Sequence, residues 1–316
     1  MVIEQPSAWT ASTVQTATLN IPGGLLGNCA APVTVRLIFS WKNDTSLGTS
    51  PAGSVDNISL TSAAPALAQE GGGTTLIAVK GAFAAGLVII GHDPERWHAV
   101  IDLATRLGVR HTIGVHPNLA QQWSDDLVPA LREAATRTGA VAIGETGLDF
   151  FRDAADGDLQ RAAFVAQITL AHDLDLPLVI HQREAFGEVC DLLRTHGPAR
   201  GVFHCFTGTS EEARIAIDLG FALGIGGVLT FPRSSELRTT VGEVPREALL
   251  LETDSPYLAP RSRRGKRNEP GCASEVADVL AGALGIARND VIALTTRNAE
   301  RVFGTTLAFD TTLGAT

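Results

Sequence analysis

The chain has 316 residues, 45% of them apolar and 19% charged, which is enough to bury a sizeable core and too apolar for a disordered chain. Its net charge of −9 argues against sequence-blind coating of nucleic acid, which needs a basic surface. Four cysteines without a C-x-x-C pair exclude a disulfide scaffold and a zinc ribbon. No apolar run is long enough to span a membrane, and MVIEQPSAWT lacks the pattern of a secretory leader, so a cytoplasmic protein is expected.

Residues 1–73 form an atypical, β-rich segment whose only cations are Arg36 and Lys42. Turn-rich pieces separate two β-type runs, Val33–Ser40 and Val55–Leu60. The Glu70-Gly-Gly-Gly-Thr-Thr tract then reads as a hinge. From about Leu76 the texture changes to strands alternating with helices. Leu87-Val-Ile-Ile90 is a continuous apolar run, as in a strand buried on both faces. Asp93 and Pro94 then open a helix carried by Trp97, Val100, Ile101, Ala104 and Leu107. Further runs follow at 111–115, 141–145, 177–181, 201–205, 221–229 and 248–253, with helices at 158–172 and 289–303 among those between and after them. Seven runs, or eight with 55–60, predict an α/β fold, a (β/α)8 barrel over residues 74–305, followed by a tail at 306–316. A doubly wound sheet is the alternative, but no strand is followed by G-x-G-x-x-G.

The way these runs end points to chemistry. One run ends at Glu145, one at His181, one at His204 and one at Asp254. In a parallel barrel all strand C-termini open on one rim, so the four side chains are expected to converge there. Two imidazoles and two carboxylates suit Zn, Mn or Mg. Cys205 follows His204 and, by alternation, is expected to face away and pack. Arg261-Ser-Arg-Arg-Gly-Lys-Arg267 is a basic patch shortly after the last run, so Arg264, Lys266 and Arg267 are expected to overhang the same rim and contact phosphate.

Gly144-Glu-Thr-Gly-Leu-Asp-Phe-Phe-Arg152, His181-Gln-Arg-Glu-Ala185, Phe203-His-Cys-Phe-Thr-Gly-Thr209 and Glu252-Thr-Asp-Ser-Pro-Tyr-Leu258 resemble the signature blocks of TatD-type metal-dependent deoxyribonucleases. Gly114–Pro117, Arg264–Pro270 and Thr296–Phe303 match further blocks in order, so the resemblance covers about residues 76–304. It implies a TIM-barrel hydrolase of the amidohydrolase type that cleaves phosphodiester bonds with one or two divalent metals (Mg, Mn or Zn). Glu145, His181, His204 and Asp254 look like its metal ligands. Asp254 and Glu145 are then also catalytic, and His116 faces the substrate, with DNA as the partner, single-stranded or at its ends.

The front of the chain departs from the pattern. Many family members carry His-x-His on the first strand, and none occurs here, the first histidine being His92. Val55–Ser62 is similar to an Asn-Leu-Thr-Ser-like first strand of one branch, which would bring Ser59 or Asn57 near the metals. The same region, Arg36–Asp44 with Gly53–Leu60, also looks like the closing strands of a β-sandwich module. Three other readings compete: a small ester or amide hydrolase on the same barrel, a barrel disabled by loss of its first strand, and a carbohydrate-binding front segment using Trp41.

Overall fold

The computed structural model describes residues 15–21, 33–39, 76–78, 86–151, 156–197 and 199–307. Near the front, Gln15–Ile21 (β1) and Val33–Phe39 (β2) form an antiparallel pair with Gln15 opposite Phe39 and Ile21 opposite Val33. β2 is the strand expected at 33–40. The run at 55–62 and the Glu70 tract, with the readings that rest on them, lie outside the described residues.

All seven expected barrel strands are present. Leu87–Gly91 (β4), Arg110–Ile113 (β5), Ile143–Asp149 (β6), Leu178–Arg183 (β7), Gly201–Phe203 (β8), Phe221–Ile225 (β9) and Leu249–Leu251 (β10) lie side by side in chain order, all parallel. The order never reverses, whereas a doubly wound sheet turns back on itself at a switch point. A short strand not foreseen from the sequence, Leu76–Ala78 (β3), runs antiparallel along the outer side of β4.

The crossovers carry Trp97–Leu107 (α1), Leu127–Thr138 (α2), Gly157–Asp173 (α3), Phe186–His196 (α4), Ser210–Asp218 (α5) and Ser235–Glu243 (α6). Ala273–Leu284 (α7) and Arg288–Phe303 (α8) follow β10. The capping chemistry read from the sequence operates as expected. The Asp93 carboxylate accepts from the Glu95 N–H, opening a 3-10 turn at Pro94 that leads into α1. Gly304, at φ 62°, stops α8 in the left-handed conformation.

Packing shows how the sheet curls. Val88 and Ile90 of β4 share one buried cluster with Val179, Val202, Ala222 and Leu250, while Ile89 between them packs outward on Val100 and Ala104 of α1. The first and last parallel strands thus meet the same interior, which requires the sheet to wrap around it. Ala299, Phe303 and Leu307, from α8 and just beyond it, join that interior cluster. Gly86 is needed where Leu307 crosses, since a Cβ there would fall 1.8 Å from the Leu307 carbonyl oxygen. Among the described residues, no helix is long and apolar enough to cross a membrane.

His111 of β5 is 5% exposed. Its Nε2 lies 2.8 Å from Thr138 Oγ1, whose own proton goes to the Ala134 carbonyl. Nε2 therefore carries the imidazole hydrogen and donates it. Burial, helped by Arg110, pushes the pKa down to about 4. Because the unfolded chain takes up a proton near pH 6.5 and the folded chain only near 4, this residue costs stability as pH falls through that window. His111→Gln keeps a donor and cannot titrate. It is expected to flatten the loss of stability between pH 6.5 and 4, by up to about 3 kcal/mol, in denaturant titrations at a series of pH values.

Candidate metal centre

The site grows from an irregularity in β6. Gly144 pairs with Val179 and Thr146 with Ile180, so Glu145 is an extra residue bulged out of the ladder. A bulge re-aims the side chain that it carries. Glu145 Oε1 lies 3.0 Å from His181 Nδ1, 3.5 Å from His116 Nε2 and 4.0 Å from His204 Nε2. Burial, at 3% exposure, opposes charge on this carboxyl, but His204 and His116 hold its pKa well below the usual range.

Two of these imidazoles are backed by a second buried carboxylate. His181 presents Nε2 to Asp149 Oδ2 at 3.1 Å. Asp149 is anchored by the Asn118 side-chain amide at 3.3 Å and the Phe151 N–H at 3.1 Å. Burial opposes its ionisation, yet these donors, His181 foremost, bring the pKa to about 2. His204 presents Nδ1 to Glu252 Oε2 at 2.7 Å, and the Cys205 N–H donates to the other Glu252 oxygen at 2.8 Å. Glu252 is fully buried and needs glycine beside it, since a Cβ on Gly224 would fall 2.3 Å from Oε2. Each carboxylate holds one ring nitrogen and turns the other toward Glu145, an arrangement that fixes tautomer and orientation in metal-ligating histidines. Asp254 takes a left-handed conformation at φ 53° after β10, and its Oδ1 lies 3.3 Å from His204 Nε2. Burial works against protonation of both imidazoles, but the surrounding carboxylates outweigh it: they raise the pKa of His181, and they lift that of His204 well above normal.

The five residues expected at the centre are therefore together: Glu145, His181, His204 and Asp254, with His116 beside them. Ligand atoms of His116, Glu145 and His181 all lie within 4.8 Å of one another, a spacing suited to a divalent ion. Hard and borderline donors gathered on a buried carboxylate fit Mg, Mn or Zn. His116 differs from the other two imidazoles. Its Nδ1 accepts the Asn118 N–H at 3.0 Å, and burial keeps its pKa low, so the neutral ring carries its hydrogen on Nε2, facing Glu145.

Arg264, Lys266 and Arg267 are all exposed, on the loop after β10. The loop is tied to the strand-end side: the Arg261 N–H donates to Thr230 Oγ1 at 2.8 Å, and the Asn268 side chain donates to the Thr253 and Tyr257 carbonyls. Arg264 lies over the Phe231 ring, 5.2 Å from its centroid.

Strand alternation does not decide which way Cys205 faces, because β8 ends at Phe203 and Cys205 itself is at φ 47°. Its thiol is pushed well above its usual pKa by burial and by the charges of Asp254 and Glu252, so at neutral pH it stays protonated. Asp149, Glu252 and His92 had drawn no assignment. The first two lie inside quoted motifs, but their burial against a particular imidazole is invisible in a sequence. His92 directly follows β4, where the strand-end rule applies equally, and its ring lies edge-on to His116 with centroids 5.6 Å apart.

Comparison with known proteins agrees with this geometry. Residues 66–304 match the family model of TatD-related DNases. The chain belongs to the TatD family. It is 34% identical over 220 residues to the uncharacterized metal-dependent hydrolase YabD of Bacillus subtilis, covering 69% of this chain and 86% of that one. It is 40% identical over 200 residues to the 3'-5' ssDNA/RNA exonuclease TatD of Pantoea ananatis, covering 61% and 77%. The crystal structure of YjjV, a TatD homologue from Escherichia coli, superposes with a TM-score of 0.67 at 29% identity, covering 71% of this chain and 88% of that one. The TatD assignment makes this a TIM-barrel, metal-dependent hydrolase.

If Glu252 and Asp149 orient the imidazoles, Glu252→Gln and Asp149→Asn should each weaken divalent-metal binding about 10- to 100-fold. Isothermal titration with Mn checks this. Affinities equal to that of the unaltered protein would show that the carboxylates have only a structural role.

Proposed function

We propose that this protein is a divalent-metal-dependent nuclease that hydrolyses phosphodiester bonds in DNA, preferably single-stranded. The observation that carries the reading is the convergence of two carboxylate-backed imidazoles on the buried Glu145, with Asp254 against one of them, His204. Glu145, His181, His204 and Asp254 would hold one or two metal ions. A bound divalent metal supplies Lewis acidity toward a non-bridging phosphate oxygen.

The chain's own groups do the rest. Asp254 has the more accessible carboxylate, 15% exposed against 4% for Glu145, and takes the proton of the attacking water. His116, neutral with its hydrogen on Nε2, donates to a phosphoryl oxygen or to the leaving oxygen. Glu145 stays charged and keeps the imidazoles aimed inward. Arg264, Lys266 and Arg267 grip the flanking phosphates, where a local basic patch works despite the net charge of −9. The named activity of the Pantoea relative, exonuclease action on single-stranded DNA and RNA, supports the choice of substrate.

The test is cleavage of single-stranded DNA with Mg or Mn, with EDTA, and by an Asp254→Ala protein as the control for contaminating nucleases. Metal-dependent cleavage is expected to fall by at least about 100-fold in the variant and to stop in EDTA. A folded, metal-loaded protein that leaves DNA intact would overturn the nuclease reading and favour a small ester or amide substrate.

A further inference from the structure

Beside the metal centre lies an aromatic and cationic pair that the hydrolytic chemistry does not use. Phe151 is 54% exposed, although it comes two residues after Asp149, the partner of His181. The Arg183 guanidinium lies over its ring, 3.6 Å from the centroid. Both positions follow from the strand register. Asp149 ends β6 and Arg183 ends β7, the two pair across the ladder, and the Phe150 N–H donates to the Arg183 carbonyl. His181 and Arg183 are two residues apart on one strand, so they lie on the same face.

A core function for the pair fails on exposure, since a ring that is more than half open to water buries little apolar surface. Arg183 is exposed as well, and its guanidinium forms no ion pair or hydrogen bond among the described residues. Elsewhere on the surface Arg161, Arg200 and Arg263 each meet a carboxylate. A guanidinium that stacks on an aromatic ring and keeps its N–H donors free is equipped to bind an anion in the ring plane while an aromatic surface is presented beside it.

We propose that Phe151 and Arg183 form a stacking subsite for one unpaired nucleobase of the substrate strand, with Arg183 holding the adjoining phosphate. The occupant rests on the nuclease reading, and the site selects single strands because a base in a duplex has no free face to offer. Stacking on an aromatic ring tolerates any base, so the subsite favours no sequence.

The test measures binding of fluorescein-labelled oligo(dT) of twelve residues by fluorescence anisotropy in EDTA, where cleavage is blocked. A strand of equal length with abasic positions is run beside it. Phe151→Ala is expected to weaken binding of oligo(dT) about ten-fold and to leave binding of the abasic strand unchanged. Phe151→Tyr restores the ring and is expected to restore binding. With metal present, Phe151→Ala should raise KM for the oligonucleotide while kcat, and cleavage of bis(4-nitrophenyl) phosphate, stay the same. Equal binding of oligo(dT) by Phe151→Ala and the unaltered protein would overturn the subsite, as would an equal loss on both strands. Metal-dependent cleavage by the unaltered protein is measured in parallel to keep the two readings apart. Cleavage without a Phe151 effect removes the subsite alone. Base-dependent binding without cleavage removes the nuclease reading alone.

Discussion

A carboxylate taken wholly out of water must be met by positive charge or by hydrogen-bond donors, or it will not stay ionised. Glu145 is such a group, and much of the site is arranged around it. Three imidazoles from the ends of β5, β7 and β8 lie within 4.0 Å of one carboxylate oxygen. The β-bulge that puts Glu145 there breaks the regular pairing of β6 with β7, at a point where the ladder otherwise continues to Asp149 and Arg183. Local irregularity in the sheet is thus what allows a single acid to reach histidines from several strands.

The histidines in turn need their own partners. Asp149 and Glu252 each hold the far nitrogen of one ring, and each is held by backbone N–H groups of the adjoining turns. The chain of constraint runs from backbone to carboxylate to imidazole to Glu145. Glycines at 224 and 226 belong to it, because any side chain at 224 would occupy the space of the Glu252 carboxylate. His116 takes the opposite orientation for an equally local reason: a backbone N–H two residues on occupies its Nδ1. Three histidines in one site therefore divide into two backed by a buried carboxylate and one backed by a backbone N–H.

The same frame accounts for the surroundings of the centre. Among the described residues, the imidazoles gathered on Glu145 follow or end β5, β7 and β8, and Asp254, in the turn after β10, meets one of them, His204. Along the outer side of β4 the sheet carries a short antiparallel strand, β3.

Much of this was legible in the sequence, and the division has a physical basis. Seven apolar runs separated by helical periodicity specified the parallel strands, since a strand covered on both faces must be apolar throughout. The rule that parallel strands end on one rim then brought Glu145, His181, His204 and Asp254 together from residues far apart in the chain, while His116 was added by the resemblance alone. What the sequence left open depends on where a backbone leaves regular alternation: β8 stops at Phe203, so alternation does not decide which way Cys205 faces, and the bulge that aims Glu145 leaves no periodic trace. The pairings of Asp149 with His181 and of Glu252 with His204 lie 32 and 48 residues apart. Periodicity reports which face of its own element a residue occupies. Which buried acid meets which imidazole is decided only when the strands are brought into register, because distance and desolvation exist between elements and not along the chain.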